Sequence, residues 1–347
     1  GSGKTLTAFL WAINQFVSKK FETGTTRVLY ISPLKALNND IQRNLNAPLA
    51  ALKARAAESN SWFPEIRVQT RSGDTEQAER RRMLRHPPEI LITTPESLNI
   101  LLTSKSGQNM LRHIETVILD EVHGVVGNKR GVYLMSAVER LVPLSGEFQR
   151  ISLSATVQPM EIVAKFVGGF ERTRGDRFEP RSVQCLRSTA EKKYQVNVRY
   201  PEAAANRPLE EKVWESLAED FVDRIRANNS TLLFVNSRAL AESLTHRINI
   251  AAREVLAYAH HGSLAREIRL EVEQKLKRGE LAAIVATSTL EMGIDIGALD
   301  EVILIQSPEG IASAIQRIGR AGHGVGEVSR CTIYPTHPLD FIESAVL

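Results

Sequence analysis

The chain has 347 residues, 43% of them hydrophobic and 24% charged. That balance excludes intrinsic disorder and, at roughly 150 residues per domain, predicts two domains. No apolar run approaches the ~20 residues needed to span a bilayer, and no signal-peptide pattern opens the chain. Two cysteines, Cys185 and Cys331, are too few for a disulfide framework or a zinc site, which suits a reducing cytoplasm. The net charge of +4 is unevenly spread: residues 1–200 hold 29 Lys+Arg against 19 Asp+Glu, residues 201–347 hold 15 against 21. A basic first part suits a polyanionic partner. Aromatics make up only 6%, so stacking on rings is not the main binding device.

In chain order, Leu6, Phe9, Leu10, Ile13, Phe16 and Val17 recur at helical spacing. Residues 27–32 (RVLYIS), 89–93 (EILIT), 116–119 (TVIL) and 150–153 (RISL) then read as short buried strands separated by helical stretches, the alternation of a parallel α/β sheet. Residues 173–209, with Gly175, Pro180, Pro201, Pro208 and several arginines scattered through them, break the pattern and read as a connection with one strand near 194–199. Alternation restarts with a helix at 210–227, strands at 231–235, 255–259, 282–286 and 301–305, and helices carrying Leu240, Leu244 and Ile248, then Leu264, Ile268, Val272 and Leu276. The expected organisation is a domain over 1–172, a connection over 173–209 and a second domain over 210–347.

Gly1-Ser2-Gly3-Lys4-Thr5 directly precedes the first amphipathic helix and reads as the second half of a phosphate-binding loop. Glycines let backbone N–H groups turn toward phosphate oxygens, and the helix N-terminus adds its dipole. Lys4 would reach the β- and γ-phosphates of ATP and the Thr5 hydroxyl would ligate Mg²⁺. The competing reading is that Gly1-Ser2 is a cloning remnant, which leaves Gly3-Lys4-Thr5 still to be explained. Asp120-Glu121 closes the strand 116–119, where one carboxylate can hold Mg²⁺ and the other can orient the attacking water. Such a pair is commonly just solvated; its weight comes from the partnership with Lys4.

With Asp120-Glu121-Val122-His123 added, the chain resembles a superfamily 2 helicase of the DEAD/DEAH type. Ser154-Ala155-Thr156 is similar to the motif that links hydrolysis to strand movement, 287–295 (TSTLEMGID) to motif V, and 316–323 (QRIGRAGH) to motif VI. These blocks follow the family's order over nearly the whole chain. The resemblance implies two tandem RecA-like (P-loop NTPase) domains, each a mostly parallel sheet flanked by helices. It also implies ATP contacts from Gly293 and Asp295, arginines Arg317 and Arg320 reaching the γ-phosphate, and coupling through His123, Ser154, Ala155, Thr156 and Gln316. The wording of 31–39 (ISPLKALNN), 72–75 (SGDT), 92–98 (ITTPESL), 260–264 (HHGSL) and 322–326 (GHGVG) is most similar to the large helicase-related (Lhr) proteins. That implies an ATP-dependent 3′→5′ DNA helicase or translocase of genome maintenance, with an adenine-recognition segment before Gly1 and further domains after Leu347. Where the DEAD-box pattern ends in another arginine, this chain has His323.

By the same resemblance a single strand (DNA, RNA or an RNA–DNA hybrid) is contacted by Pro33, Leu34, Lys35, Gly73, Asp74, Thr75, Thr94, Pro95 and Glu96, and then by Asn236, Ser237, Arg238, Thr287 and Ser288. Thr94 and Ser237 also fit as plain helix caps. Arg80-Arg81-Arg82 reads as a solvated helix face in preference to a nucleic-acid patch, His260-His261 as a packed or polar loop in preference to a metal site, and Trp62 and Trp214 as packing residues. Two other functions stay open on the sequence: an RNA helicase of the same superfamily, since nothing here reads a 2′-hydroxyl, and a non-hydrolysing nucleic-acid clamp, against which Lys4, Glu121 and Arg320 are all intact.

Overall fold

Four-residue apolar runs are too short for helices and, when buried on both faces, are stable only inside a parallel sheet covered on each side. β1 (Val28–Ile31), β3 (Ile90–Thr93) and β4 (Thr116–Leu119) are such runs, each buried throughout. With β2 (Val68–Arg71) and β5 (Gln149–Ser152) they form a five-stranded parallel sheet in the order β2-β3-β1-β4-β5. The computed structural model describes the chain apart from residues 1, 2, 34, 155, 156, 174–176, 188–192, 201–209, 292–296, 298, 309 and 323–326; the side chains of 35–40, 43, 44, 210–212 and 266 are also outside the description.

Side chains alternate across each strand. Leu29, Ile31, Leu91, Val117 and Leu119 face one core layer, with Leu98, Leu134 and Val163 of the helices Pro95–Leu102, Lys129–Glu139 and Met160–Gly168. Val28, Tyr30, Ile90, Ile92 and Ile118 face the other, with Phe9, Ile13 and Phe16 of the helix Lys4–Val17. Leu6, Leu10 and Val17, read as part of the same stripe, are exposed. Trp62, expected to pack, is 57% exposed and lies under the Lys19 ammonium, a surface cation–π contact that gives the indole a partner without burying it.

The contacts divide the chain into two units, Ser2–Arg187 and Ser188–Leu347, and so divide the expected connection between them. Its first part is tied to the first unit. β6 (Phe170–Arg172) and β7 (Phe178–Pro180) pair antiparallel, and Arg181 donates to Glu139 and Glu147 at 2.9 Å each and to the Gly168 carbonyl at 2.9 Å. Arg150 adds a second bond to Glu139 at 2.7 Å. Gly169, at φ 62°, lies so close that a Cβ would meet Glu139 Oε1 at 2.1 Å.

The last part of that connection supplies β8 (Lys193–Val198), an edge strand of the second unit's sheet. β9 (Thr231–Phe234), β10 (Ala257–His260), β11 (Ala283–Ala286), β12 (Glu301–Ile305) and β13 (Val328–Tyr334) complete it, all parallel, in the order β10-β11-β9-β12-β13-β8. Leu232, Phe234, Ile284 and Leu304 face one helix layer and Leu233, Val235, Val285 and Ile303 the other. Trp214 packs at the edge of the second layer. Among the described residues no helix is long and apolar enough to cross a membrane.

One buried carboxylate ties together the starts of three strands. Glu89, directly before β3, accepts from the Gly24 N–H at 2.7 Å, the Arg67 N–H at 2.9 Å and the Arg67 guanidinium at 3.1 Å, while its own carbonyl accepts from Arg27 and Val28. Burial alone would raise this carboxyl; the Arg67 side chain and the two backbone donors outweigh it and hold the group below the usual carboxylate range. Glu89→Ala should therefore cost about 3 kcal/mol or more, since it strands the buried donors. Because the folded value lies below the unfolded one, the charged form's contribution is complete above the ordinary glutamate value of about 4.3 and is lost as pH falls through the folded value. Urea unfolding of wild type and variant should show a large gap at neutral pH that closes in acid.

Candidate functional site

The helix Lys4–Val17 begins at Gly3, whose φ of 71° is the left-handed backbone that glycine adopts without penalty. Its first two side chains reach different strand ends. Lys4 Nζ donates to the Ser154 carbonyl just past β5, and Thr5 Oγ1 donates to Asp120 Oδ2 at 3.2 Å, just past β4. Tyr30 of β1, fully buried, donates its hydroxyl to the same Asp120 oxygen, and the Glu121 N–H donates to Asp120 Oδ1 at 2.8 Å. Burial raises the Asp120 carboxyl above its ordinary value despite these donors and the Lys4 charge. Burial and the neighbouring Asp120 also push the Tyr30 phenol well up.

Glu121 occupies the left-handed region (φ 51°, ψ 40°), a conformation that costs a residue with a Cβ roughly 1–2 kcal/mol. A 3₁₀ turn, Val122–Gly124, follows, and His123 Nε2 lies 3.3 Å from Glu121 Oε2 while His123 Nδ1 lies 3.3 Å from Ser154 Oγ. Lys4, Thr5, Asp120, Glu121, His123 and Ser154, six residues spread over 150 positions, thus form one connected polar network. Gly1, Ser2, Ala155 and Thr156 lie outside the described residues.

The other expected residues of the first unit lie at the carboxyl ends of its strands. Pro33 is buried beyond β1; Leu34 and the Lys35 side chain lie outside the description. Gly73, Asp74 and Thr75 form a turn after β2, where Thr75 Oγ1 accepts from the Ser72 N–H at 2.9 Å and donates to the Thr70 carbonyl at 3.2 Å. After β3, Thr94 caps the helix Pro95–Leu102 by accepting from the Ser97 N–H at 3.3 Å, and Pro95 occupies its first position. Glu96 takes a two-pronged pair from Arg130 at 2.7 and 3.2 Å, which outweighs burial and holds the carboxyl below its ordinary value.

In the second unit Ser237 caps the helix Arg238–Ala252 at Leu240 N (3.2 Å). Arg238 donates to Ser263. Asn236 donates to the Ser307 carbonyl at 3.0 Å and accepts from Arg317 at 3.0 Å. Arg317 is only 5% exposed: its Nε pairs with Glu291 at 3.1 Å and its guanidinium lies over the Phe234 ring. Arg320, less buried, donates to the Glu291 carbonyl at 3.1 Å. Gln316 is half-buried on the helix Ile311–Ile318. The Thr287 N–H donates to the His260 carbonyl at 3.2 Å, and Ser288 opens a 3₁₀ turn. His260 and His261 are buried polar residues, bonded to Thr289 and Glu273 and to Glu242, and no group of His, Cys, Asp or Glu able to hold a metal occurs among the described residues. Gly293, Asp295 and His323 lie outside the description.

Sequence reasoning missed Tyr30, Glu291 and the role of Arg80. Tyr30 reads as one more apolar strand residue and Glu291 as part of a longer string. Arg80, assigned to a solvated face, donates to the Ser72 and Gly73 carbonyls at 3.0 and 2.8 Å.

Residues 1–163 match the DEAD/DEAH box helicase family and residues 213–324 the helicase conserved C-terminal domain. The chain belongs to the DEAD/DEAH-type helicases of superfamily 2. Within them it is a core of the large helicase-related (Lhr) kind. It is 45% identical, over its whole length, to ATP-dependent helicase Lhr-Core protein 2 of Thermococcus barophilus and 42% identical to the Lhr helicase/probable uracil glycosylase of Mycolicibacterium smegmatis, spanning 40% and 25% of their lengths. The structure of the Mycobacterium smegmatis helicase Lhr bound to ssDNA and AMP-PNP superposes on all of this chain with a TM-score of 0.88 at 45% identity, the chain covering 44% of it.

Arg317 and Arg320 should respond differently to truncation. Arg317→Ala leaves the buried Glu291 carboxylate unpaired and should destabilise the protein by about 3 kcal/mol or more. Arg320→Ala should cost less, because Arg320 is less buried and its loss leaves the Arg317–Glu291 pair in place. Thermal unfolding of the two variants checks the order.

Proposed function

We propose that this chain is the motor core of an ATP-dependent DNA helicase that hydrolyses ATP when a single strand is bound, moves 3′→5′ and serves DNA repair. The observation that carries the reading is the connected network of Lys4, Thr5, Asp120, Glu121, His123 and Ser154 at one edge of the first sheet. A long cation beside a helix N-terminus suits the phosphates of ATP. The Thr5 hydroxyl and the Asp120 carboxylate, 3.2 Å apart, are hard oxygen donors that fit Mg²⁺, which keeps water and phosphate ligands and needs few from the protein. A buried carboxylate raised above its ordinary value also fits a cation, since a positive ion beside it would restore the charged form. Thr5 and Asp120 would hold that ion, which would supply positive charge to offset the charge developing on the phosphates.

Glu121 is the group that orients the attacking water. Its backbone is held by Asp120, and its carboxylate adjoins His123, which in turn adjoins Ser154. That chain of contacts is the route by which occupancy of the nucleotide site reaches the segment after β5. Arg320 is the residue this reading assigns to stabilising charge in phosphoryl transfer, and Arg317 the one that supports it through Glu291. The single strand runs past the turns at 73–75 and 94–96 and, in the second unit, past Asn236, Ser237, Arg238, Thr287 and Ser288. The single-stranded DNA held by the mycobacterial relative favours DNA as the partner of this core, and the AMP-PNP bound with it favours ATP as the nucleotide.

Lys4→Ala and Glu121→Gln separate binding from hydrolysis. The first should weaken AMP-PNP binding. The second should leave that binding intact while turnover falls by orders of magnitude, because the amide keeps the size and loses the basic oxygen. Isothermal titration with AMP-PNP and steady-state ATPase assays read the two effects, and equal loss of nucleotide affinity in both would count against the assignment. Stimulation of turnover should be greater with single-stranded DNA than with RNA of the same sequence; the reverse order would make this an RNA helicase.

A further inference from the structure

Arg71 is the last residue of β2, the edge strand of the first sheet, and only 9% of its surface is exposed. Its carbonyl is used, accepting from Thr93 Oγ1 at 2.8 Å, but its side-chain Nη1 is buried with no hydrogen-bond partner among the described residues. The nearby Arg80 spends Nη2 on the Ser72 and Gly73 carbonyls, and its Nε is likewise buried without a partner. Burial lowers the Arg71 guanidinium pKa, and the like charge of Arg80 lowers it further. Buried arginines are ordinarily paired, because an unpaired buried charge costs several kcal/mol. Two neighbouring guanidiniums with spare donors are instead suited to an anion.

We propose that Arg71 and Arg80, with the 72–75 turn between them, form a binding site for one backbone phosphate of a nucleic-acid single strand. Planar guanidinium donors match phosphate geometry. The turn is held in shape from within: the Asp74 N–H donates to Ser72 Oγ at 3.2 Å, the Ser72 N–H to Thr75 Oγ1 at 2.9 Å and the Thr75 N–H to the Ser72 carbonyl at 3.3 Å. The nucleotide's own phosphates are not the occupant. Asp120 follows β4, and β3 and β1 separate β4 from β2, so at about 4.8 Å per strand the two sites are on the order of 14 Å apart. The arginine site instead adjoins the Thr94–Glu96 turn after β3, along the path assigned to the strand. This inference rests on the nucleic-acid reading given above and adds to it a residue that reading left out.

The test measures binding of a labelled mixed-sequence DNA single strand to the full-length protein over a series of KCl concentrations, for wild type, Arg71→Gln and Arg80→Gln. Each neutralised phosphate contributes about 0.7 to the slope of log K against log salt on single strands. Arg71→Gln should make the slope shallower by about that amount, with AMP-PNP affinity unchanged. Arg80→Gln should do the same, and the double variant should lose no more slope than either alone, because both serve one phosphate. Replacing strand phosphates one at a time by neutral methylphosphonates should weaken wild type at one position to which Arg71→Gln is indifferent. Without nucleic acid, Arg71→Gln should melt no lower than wild type, as it removes a buried unpaired charge.

A steep wild-type slope left unchanged by Arg71→Gln overturns this site while the nucleic-acid reading stands; a flat wild-type slope overturns both. A lower melting temperature with equal loss of affinity at every salt concentration would make Arg71 a structural residue and overturn the proposal. So would inorganic phosphate stabilising wild type but not Arg71→Gln while their DNA slopes coincide, which would mark a site for the free anion.

Discussion

In a parallel sheet every strand ends at the same edge, and both faces must be covered by helices, so the loops that can carry chemistry collect on that edge. The first sheet obeys this closely. Pro33 follows β1, Ser72–Thr75 follow β2, Thr94 follows β3, Asp120 and Glu121 follow β4, and Ser154 follows β5. Strand order then decides which loops are neighbours. Because β1 lies between β3 and β4, Tyr30 can reach Asp120, while the turn after β2 sits at the far end of the row. The residues proposed for the nucleotide and those proposed for the strand thus share one edge without overlapping.

Charge burial takes two forms in this chain. Glu89 meets both backbone and guanidinium donors and is held charged, and Arg317 has Glu291, Asn236 and the face of Phe234. Asp120 and Arg71 are different: burial shifts each toward its neutral form, the carboxyl up and the guanidinium down. Both stand at strand ends where an ion of opposite sign would reverse the shift.

Arg317 also connects several of the residues assigned to function within the second unit. One guanidinium links Asn236, which is assigned to the strand, with Glu291, whose carbonyl holds Arg320. A residue read from the sequence as a nucleotide contact is, within its own unit, the joint between neighbouring turns. Substituting it would disturb several assigned residues together.

The sequence by itself determined the α/β class, the two sheets and most strands, because buried apolar runs and helix caps are local signals; the Gly3-Lys4-Thr5 and Asp120-Glu121 segments proposed for the nucleotide stand out in it as local signals too. The caps at Thr94 and Ser237 were legible for the same reason. Tertiary structure alone decided the rest. β2 (VQTR) is an edge strand with too little apolar character to announce itself, and β13 and the β6–β7 pair likewise escaped notice. The stretch 173–209 reads as a linker with one strand near 194–199, and β8 is that strand, but only the fold shows Arg181 anchoring the first part and β13 pairing with β8. Tyr30, Arg71, Arg80 and Glu291 acquire meaning only through partners, or missing partners, that the folded chain brings near. Periodicity reports which face of an element is buried, whereas a hydrogen bond between residues 90 positions apart, as between Tyr30 and Asp120, depends on which strands lie side by side.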